Sequence, residues 1–207
     1  QLKTKHLQLS DEEKQQIRLT QGRPPFGVDL RLTDAEKGTH EIERDGHTTG
    51  NLQVKGQWVI NHYFGKEESA LTADSWFDTG DIATLNQDGF MKLSDRSKDL
   101  IKSGGEWISS VDLENIAMGH PEIAMAAVIA AQHPKWDERP VLIAIKKSDS
   151  QLSETELLDY YADKVAKWQV PDRVVFVDSI PLSGTGKMLK KDLRELYGNI
   201  LLEQAVG

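Results

Sequence analysis

A change of hydrophobic period near Asp95–Lys98 constrains this chain more than any other feature of its sequence. Upstream, from Val28 to about Ser94, apolar residues come in short bursts separated by Gly and Asp/Asn clusters. That pattern predicts strands over Val28–Leu32, His40–Glu43, Asn51–Val54, Trp58–Ile60, Asp81–Leu85 and Phe90–Leu93, with Asn86-Gln87-Asp88-Gly89 as the turn between the last two. Downstream, helical and strand patterns alternate. Two short strands, Lys98–Lys102 and Glu106–Ile108, close around Ser103-Gly104-Gly105. Ser109 or Ser110 caps a helix that ends at Gly119. Ile123–Ala131 and Pro140–Lys146 are near-continuous apolar runs, as expected of buried strands. Ser153-Glu154-Thr155-Glu156 opens a helix expected to stop before Pro171, Arg173–Val177 is a further strand, and Met188–Tyr197 is a last amphipathic helix. Ahead of both halves, Ser10-Asp11-Glu12-Glu13 has capping-box spacing and starts a short helix that ends near Gly22-Arg23-Pro24-Pro25. A β-rich unit and an α/β unit therefore meet near Asp95–Lys98.

Charge and cysteine usage narrow the function classes. The 207 residues carry 25 basic and 33 acidic side chains, a formal charge of −8, which repels a phosphate backbone and disfavours nucleic acid as a partner. With no cysteine there is no disulfide scaffold, thiolate nucleophile or thiolate metal ligand, which fits a cytoplasmic setting. No apolar run approaches the roughly 20 residues of a transmembrane helix, and the first residues lack the apolar stretch of a signal peptide. The chain opens without an initiator methionine, which leads us to expect a fragment.

Three segments ask for more than a core or a simple loop. Trp76-Phe77-Asp78-Thr79-Gly80-Asp81 reads as ordinary turn chemistry, and equally as a carboxylate placed beside a glycine where Asp81 can accept a pair of hydroxyls such as those of ribose. Asp95-Arg96-Ser97-Lys98-Asp99-Leu100-Ile101-Lys102-Ser103-Gly104-Gly105-Glu106 reads as a solvated hairpin, or as a row of cations (Arg96, Lys98, Lys102) on one strand face suited to a polyanion. Pro181-Leu182-Ser183-Gly184-Thr185-Gly186-Lys187 fails as a Walker A loop, because Pro181 and Met188 stand where glycine and Ser/Thr are required. It leaves a glycine-bracketed lysine at a helix start: either a loop followed by the solvated basic face of Lys190, Lys191 and Arg194, or a mobile cation for a developing negative charge. The histidines show no metal-ligand spacing, no Gly-x-Ser-x-Gly occurs, and Trp136 and Trp168 read most simply as packing residues.

Taken in order, these segments resemble the late motifs of the AMP-forming adenylate synthetases, which include acyl-CoA synthetases, firefly luciferase and peptide-synthetase adenylation domains. Gly50-Asn51-Leu52-Gln53-Val54-Lys55-Gly56 is similar to that family's Gly-Glu-Leu strand, Trp76–Asp81 to its Thr-Gly-Asp block, Asp95–Glu106 to its hinge and following loop, and Ile180–Lys187 to its terminal lysine motif. The wording from Ser97 to Glu106 is most like medium- and long-chain fatty acyl-CoA ligases. The resemblance implies an α+β chain: the β-rich terminal piece of the large adenylate-forming domain, a hinge, then a small α/β C-terminal domain. The expected boundaries are a helical segment of the truncated large domain over 1–21, the β-rich end of the large AMP-binding domain over 22–97, and the mobile C-terminal domain over 98–207. The family's phosphate loop and Tyr-Gly-x-Thr-Glu segment do not occur, so a carboxy-terminal fragment without turnover of its own is expected.

The same resemblance implies roles. Asp81 holds the ribose hydroxyls of ATP or AMP, Arg96 contacts the nucleotide, and Lys98 is the hinge. Lys187 stabilises the adenylation transition state. Lys102, Gly104, Gly105 and Glu106 enter for the second step and line the pantetheine tunnel of coenzyme A. Trp168 stacks near the CoA nucleotide, although the basic residue usual beside it stands here as Val170. Substrates would be a fatty or other carboxylic acid, ATP with Mg2+ in the complete enzyme, and CoA; the rest of the large N-terminal domain would be the protein partner. No metal ligand set is expected in this chain. The alternatives are a non-catalytic binding or regulatory module of the same fold, and a luciferase-like or peptide-synthetase adenylation enzyme.

Overall fold

In the computed structural model of the protein, which describes residues 2–34 and 40–204, local capping chemistry opens the chain as its spacing predicts. Ser10 Oγ accepts from the Glu13 amide at 3.2 Å while the Glu13 carboxylate accepts from the Ser10 amide at 2.8 Å, so α1 runs Asp11–Arg18. The preceding 3-10 segment, Thr4–Gln8, is held to the later β-hairpin through Asp88, which meets Lys5 at 2.7 Å and Lys3 and His6 at 2.9 Å. The chain divides into two compact units, Gln1–Lys98 and Asp99–Gly207.

The first unit is an antiparallel meander. β1 (Val28–Thr33), β2 (Gly50–Gly56), β3 (Phe77–Leu85) and β4 (Met91–Arg96) lie side by side in chain order. Leu30, Leu32, Leu52, Ala83 and Leu85 fill its core. Two expected strands are absent. His40–Glu43 makes only an isolated bridge, Thr33↔Glu41, and Trp58–Ile60 is turn and loop, with Trp58 exposed and its indole N–H donating to the Phe26 carbonyl at 3.2 Å. Runs of three or four β-prone residues have too little periodicity to separate a strand from a loop.

The second unit explains the long apolar runs. It opens with β5 (Ile101–Ser103), β6 (Glu106–Ile108) and α2 (Ser110–Met118), which Ser109 caps by accepting from the Asp112 amide at 3.1 Å. β7 (Ile123–His133) and β8 (Asp137–Lys146) then pair antiparallel along their whole length. Alternate residues serve two cores, as a sheet covered on both faces requires. Ala126, Val128, Leu142 and Ala144 pack with Leu113 of α2 and with Leu157 and Tyr161, in and after α3 (Glu154–Asp159). Ala127, Ile129, Ala131, Val141 and Ile143 pack with Leu193 of α4 (Lys190–Tyr197) and Leu201 of α5 (Ile200–Gln204). β9 (Arg173–Phe176) lies parallel to β8, giving a five-stranded sheet in which β5 and β9 share one edge of β8. The chain is thus an α+β protein. The helix expected to run to Pro171 is short: it stops at Asp159, and turns follow with Asp163 at φ +64° and a 3-10 turn at Lys167–Gln169. α5 had no counterpart in the sequence reading.

Candidate functional site

In the first unit, Asp78-Thr79-Gly80-Asp81 is a bulge inside β3 and not the turn that its composition suggests. The β2–β3 ladder jumps from Asn51↔Ile82 to Gln53↔Asp78, so Thr79, Gly80 and Asp81 stand opposite Leu52 alone. Gly80 takes φ +71°, Thr79 Oγ1 donates to the Leu52 carbonyl at 2.9 Å, and the Asp78 carboxylate accepts from the Gly80 amide at 2.8 Å. A second register shift follows between β3 and β4, after Asp81↔Arg96 and Ile82↔Asp95. Asp81 and Arg96 are therefore directly opposed between two irregularities. Neither side chain has a hydrogen-bond or ion-pair partner among the described residues. Upstream, the Arg31 guanidinium lies 4.5 Å from the Trp76 ring centroid and 2.6 Å from Asp74, whose carboxyl Arg31 and Thr72 together hold down at about 2. An unpaired carboxylate facing an unpaired guanidinium suits a ligand that offers hydroxyls to one and an anion to the other.

In the second unit, β5 and β6 form a two-residue hairpin. Gly104 and Gly105 sit at φ +60° and +90°, and a side chain on Gly104 would meet the Trp136 ring at 2.9 Å. The hairpin is held from below by the start of β8 and its approach. The Lys102 amide donates to Glu138 Oε2 at 2.8 Å, the Gly104 amide to the Trp136 carbonyl at 2.9 Å, and Arg139 Nη1 to Ser103 Oγ at 3.0 Å. Lys102 and Glu106 are exposed, and Trp168, on the 3-10 turn, is 44% exposed. Trp136 and Trp168 are accordingly not core residues.

The terminal lysine loop is tightly built. Leu182 and Met188 form a β-bridge, the Ser183 amide donates to the Lys187 carbonyl at 2.7 Å, and the Lys187 amide donates back to Ser183 Oγ at 3.1 Å. The Lys187 side chain itself is exposed and has no partner among the described residues. Its neighbours differ. Lys190 meets Glu114 at 2.7 Å and donates to Ser110 Oγ at 2.7 Å, and Arg194 meets Asp99 at 2.7 Å. The solvated basic face expected of this helix is thus corrected: two of its three cations are tied down, because Glu114 and Asp99 face them across the helix packing. Burial, and then the Glu114 charge, push the Tyr161 hydroxyl well above its ordinary value; it donates to the Leu113 carbonyl at 2.7 Å.

The structure also corrects the row of cations. Arg96 ends β4, Lys98 sits in the turn over 97–100 and Lys102 belongs to β5, so no single strand carries all three. Parity of residue number places side chains on one face only while the strand is unbroken. Arg139, Glu114 and Asp99 were missed. Only Arg139 left a signal, as a lone guanidinium against an apolar run that must find acceptors once buried. Among the described residues no cluster of three or more His, Asp or Glu is placed to hold a metal ion, and no helix is long and apolar enough to cross a membrane.

Residues 112–187 match the family described as the AMP-binding enzyme C-terminal domain. A medium-chain fatty acid–CoA ligase of Ectopseudomonas oleovorans is 53% identical over 200 residues, covering 97% of this chain and 36% of that protein. This chain matches the carboxy-terminal portion of AMP-forming acyl-CoA synthetases. A 3-methylmercaptopropionyl-CoA ligase of Ruegeria lacuscaerulensis is 54% identical over 197 residues, covering 95% of this chain and 36% of that one. The crystal structure of ATP-bound MatB from Rhodopseudomonas palustris superimposes with a TM-score of 0.78 at 28% identity, over 88% of this chain and 36% of that one. The chain therefore spans about a third of the length of the synthetases that it matches, and corresponds to their carboxy-terminal portion.

Proposed function

We propose that these residues serve an ATP-dependent, AMP-forming acid–CoA ligase. In the first step the substrate carboxylate attacks the α-phosphorus of ATP, giving acyl-AMP and releasing pyrophosphate. In the second the CoA thiol, losing its proton, attacks the acyl carbonyl and AMP leaves. One contrast carries the reading: Lys187 and Lys102 extend without partners from backbones fixed by hydrogen bonds, while nearby Lys190, Arg194 and Arg139 are all paired. Unpaired cations on pinned loops are what two successive steps on anionic substrates require.

In this reading Asp81 accepts the ribose hydroxyls and Arg96 approaches the phosphate. A lysine ammonium about 4 Å from the developing oxyanion contributes roughly 4 kcal/mol at an effective dielectric near 20, which is the role of Lys187. Gly104 and Gly105, bare at the hairpin tip, let the pantetheine arm pass, with Lys102 and Glu106 beside it and Trp168 against the CoA nucleotide. Lys98 is the hinge on which the second unit turns between the steps. Mg2+ would travel with ATP. The substrate is a fatty or other carboxylic acid, a reading supported by relatives 53% and 54% identical that are named for a medium-chain fatty acid and for 3-methylmercaptopropionate. The remainder of the large domain is the partner that completes the site, and a cytoplasmic setting is in keeping with the absence of cysteine.

The test is Lys187→Ala in the full-length protein. Pyrophosphate exchange should fall on the order of 10²–10³-fold, while thioester formation from supplied acyl-AMP and CoA stays within a few-fold. Equal losses in the two steps would remove Lys187 from this role.

A further inference from the structure

The Arg139 side chain makes five hydrogen bonds, and nothing in the proposed chemistry uses it. It stands at the start of β8 with its side chain 10% exposed. Its Nε and Nη2 donate to Asp172 Oδ1 at 2.8 and 2.6 Å. Nη1 donates to the Trp168 carbonyl at 2.6 Å and to Ser103 Oγ at 3.0 Å, and Nη2 also reaches the Val170 carbonyl at 3.1 Å. One guanidinium thus spans the double-glycine hairpin on one side and both flanks of the Trp168 turn on the other.

Among the described residues, no hydrogen bond other than those of Arg139 joins the hairpin to the Trp168 turn. β5 pairs with β8 at Ser103↔Asp137 and the hairpin keeps its own bonds to Glu138 and Trp136, whereas Trp168 lies within the 3-10 turn and Val170 between that turn and β9. A planar fork with five donors can serve Ser103, Trp168, Val170 and Asp172 together; a lysine, with a single nitrogen, cannot. Val170 packs against the core and the Asp172 amide donates to the Pro140 carbonyl at 2.9 Å, so loss of the guanidinium frees the Trp168 end of the segment rather than its whole length.

We propose that Arg139 is the positioning residue of the CoA-dependent step, setting Trp168 against the hairpin so that the two form one binding surface. The inference rests on the reading above, in which the hairpin and Trp168 border CoA, and it adds a residue and a division of labour. Arg139 touches no substrate. Its influence falls on the second step, since the lysine loop is fixed by Ser183 and by the bridge Leu182↔Met188, none of which Arg139 contacts.

The experiment uses the full-length protein, with CoA and acyl-AMP as probes. In Arg139→Met, kcat/KM for CoA in thioester formation should fall about ten-fold or more, mainly through KM, with pyrophosphate exchange within about two-fold of the parent. Arg139→Lys, which keeps the charge beside Asp172, should recover less than half of that loss on a logarithmic scale. If Arg139→Met fails to fold, Ser103→Ala removes the hairpin end alone, and should raise KM for CoA about three-fold without moving the melting temperature by more than a degree or two. Equal losses in both steps, full rescue by lysine, or an unchanged KM for CoA in folded variants would overturn the proposal. Trp168→Ala separates this from failure of the underlying reading. If it slows thioester formation while the Arg139 and Ser103 variants do not, the CoA surface stands and Arg139 is only structural. If Trp168→Ala is also without effect, the surface itself is wrong and the proposal falls with it.

Discussion

The pair formed by Lys190 and Glu114 makes the sharpest stability prediction. Their side chains are 12% and 11% exposed and meet at 2.7 Å, and Glu114 Oε1 also accepts from the Val128 amide at 2.8 Å, so α2, β7 and α4 share one carboxylate. At that separation the attraction is about 6 kcal/mol at an effective dielectric near 20, much of it offset by desolvation. Lys190→Met leaves the carboxylate buried with its countercharge gone, a change that typically costs about 3–5 kcal/mol; the bond to Val128 persists, so we expect the low end, near 3 kcal/mol. Native-state hydrogen exchange at Val128 reads this directly, and should accelerate about a hundred-fold. Adding Glu114→Gln should return most of the loss, because glutamine still accepts from Val128 and brings no charge. A cost below about 1 kcal/mol for Lys190→Met, the range of solvent-exposed pairs, would refute the reasoning, as would a double variant no better than the single.

Three further outcomes follow from other parts of the molecule. Gly104→Ala should destabilise the second unit by about 2 kcal/mol and Gly105→Ala by about 1 kcal/mol, since both force a side chain into left-handed backbone but only the former strikes Trp136; equal shifts in denaturant midpoint would mean that the ring yields freely. Lys98→Pro fixes φ at the end of the first unit, and should slow thioester formation about ten-fold in the full-length protein while leaving pyrophosphate exchange in place; unchanged thioester kinetics would deny Lys98 a hinge role. Lys5, Lys3 and His6 hold the Asp88 carboxyl far below its ordinary value. A depressed carboxyl stabilises the fold fully above its unfolded value near 3.9, and loses that contribution as pH falls towards the folded value. The segment Thr4–Gln8 should therefore gain amide exchange below about pH 4, and Asp88→Asn should reproduce the effect at neutral pH.

Local chemistry was legible where it is self-contained. The box at Ser10–Glu13 needs only its own four residues, and the runs at 123–131 and 140–146 need only a sheet covered on both faces; both stand in the structure as read. Legibility failed where one segment's state depends on a distant one. Trp58–Ile60 has strand-like composition, but the strand beside it ends at Gly56 and leaves Trp58 to bond with the Phe26 carbonyl. Thr79-Gly80-Asp81 has turn composition, yet β2 and β4 hold its flanks in register and turn it into a bulge. Lys190 reads as a surface lysine until Glu114, 76 positions earlier, is packed against it. For the candidate site, the types of Asp81, Arg96 and Lys187 were readable. What was not readable is which cations are spoken for, because pairing is a property of the packed molecule.

The bonding around Lys187 has a mechanical consequence. Its amide and carbonyl are both engaged by Ser183, and the Leu189 amide donates to the Pro181 carbonyl at 2.9 Å, so the stem beneath the ammonium has no slack. Freedom is left only in the four side-chain torsions, whose complete arrest costs no more than about 2 kcal/mol. Displacement beyond the length of one lysine must then be carried by the 181–189 loop moving as one piece. Fraying of the Ser183 clasp would widen the volume that the ammonium samples.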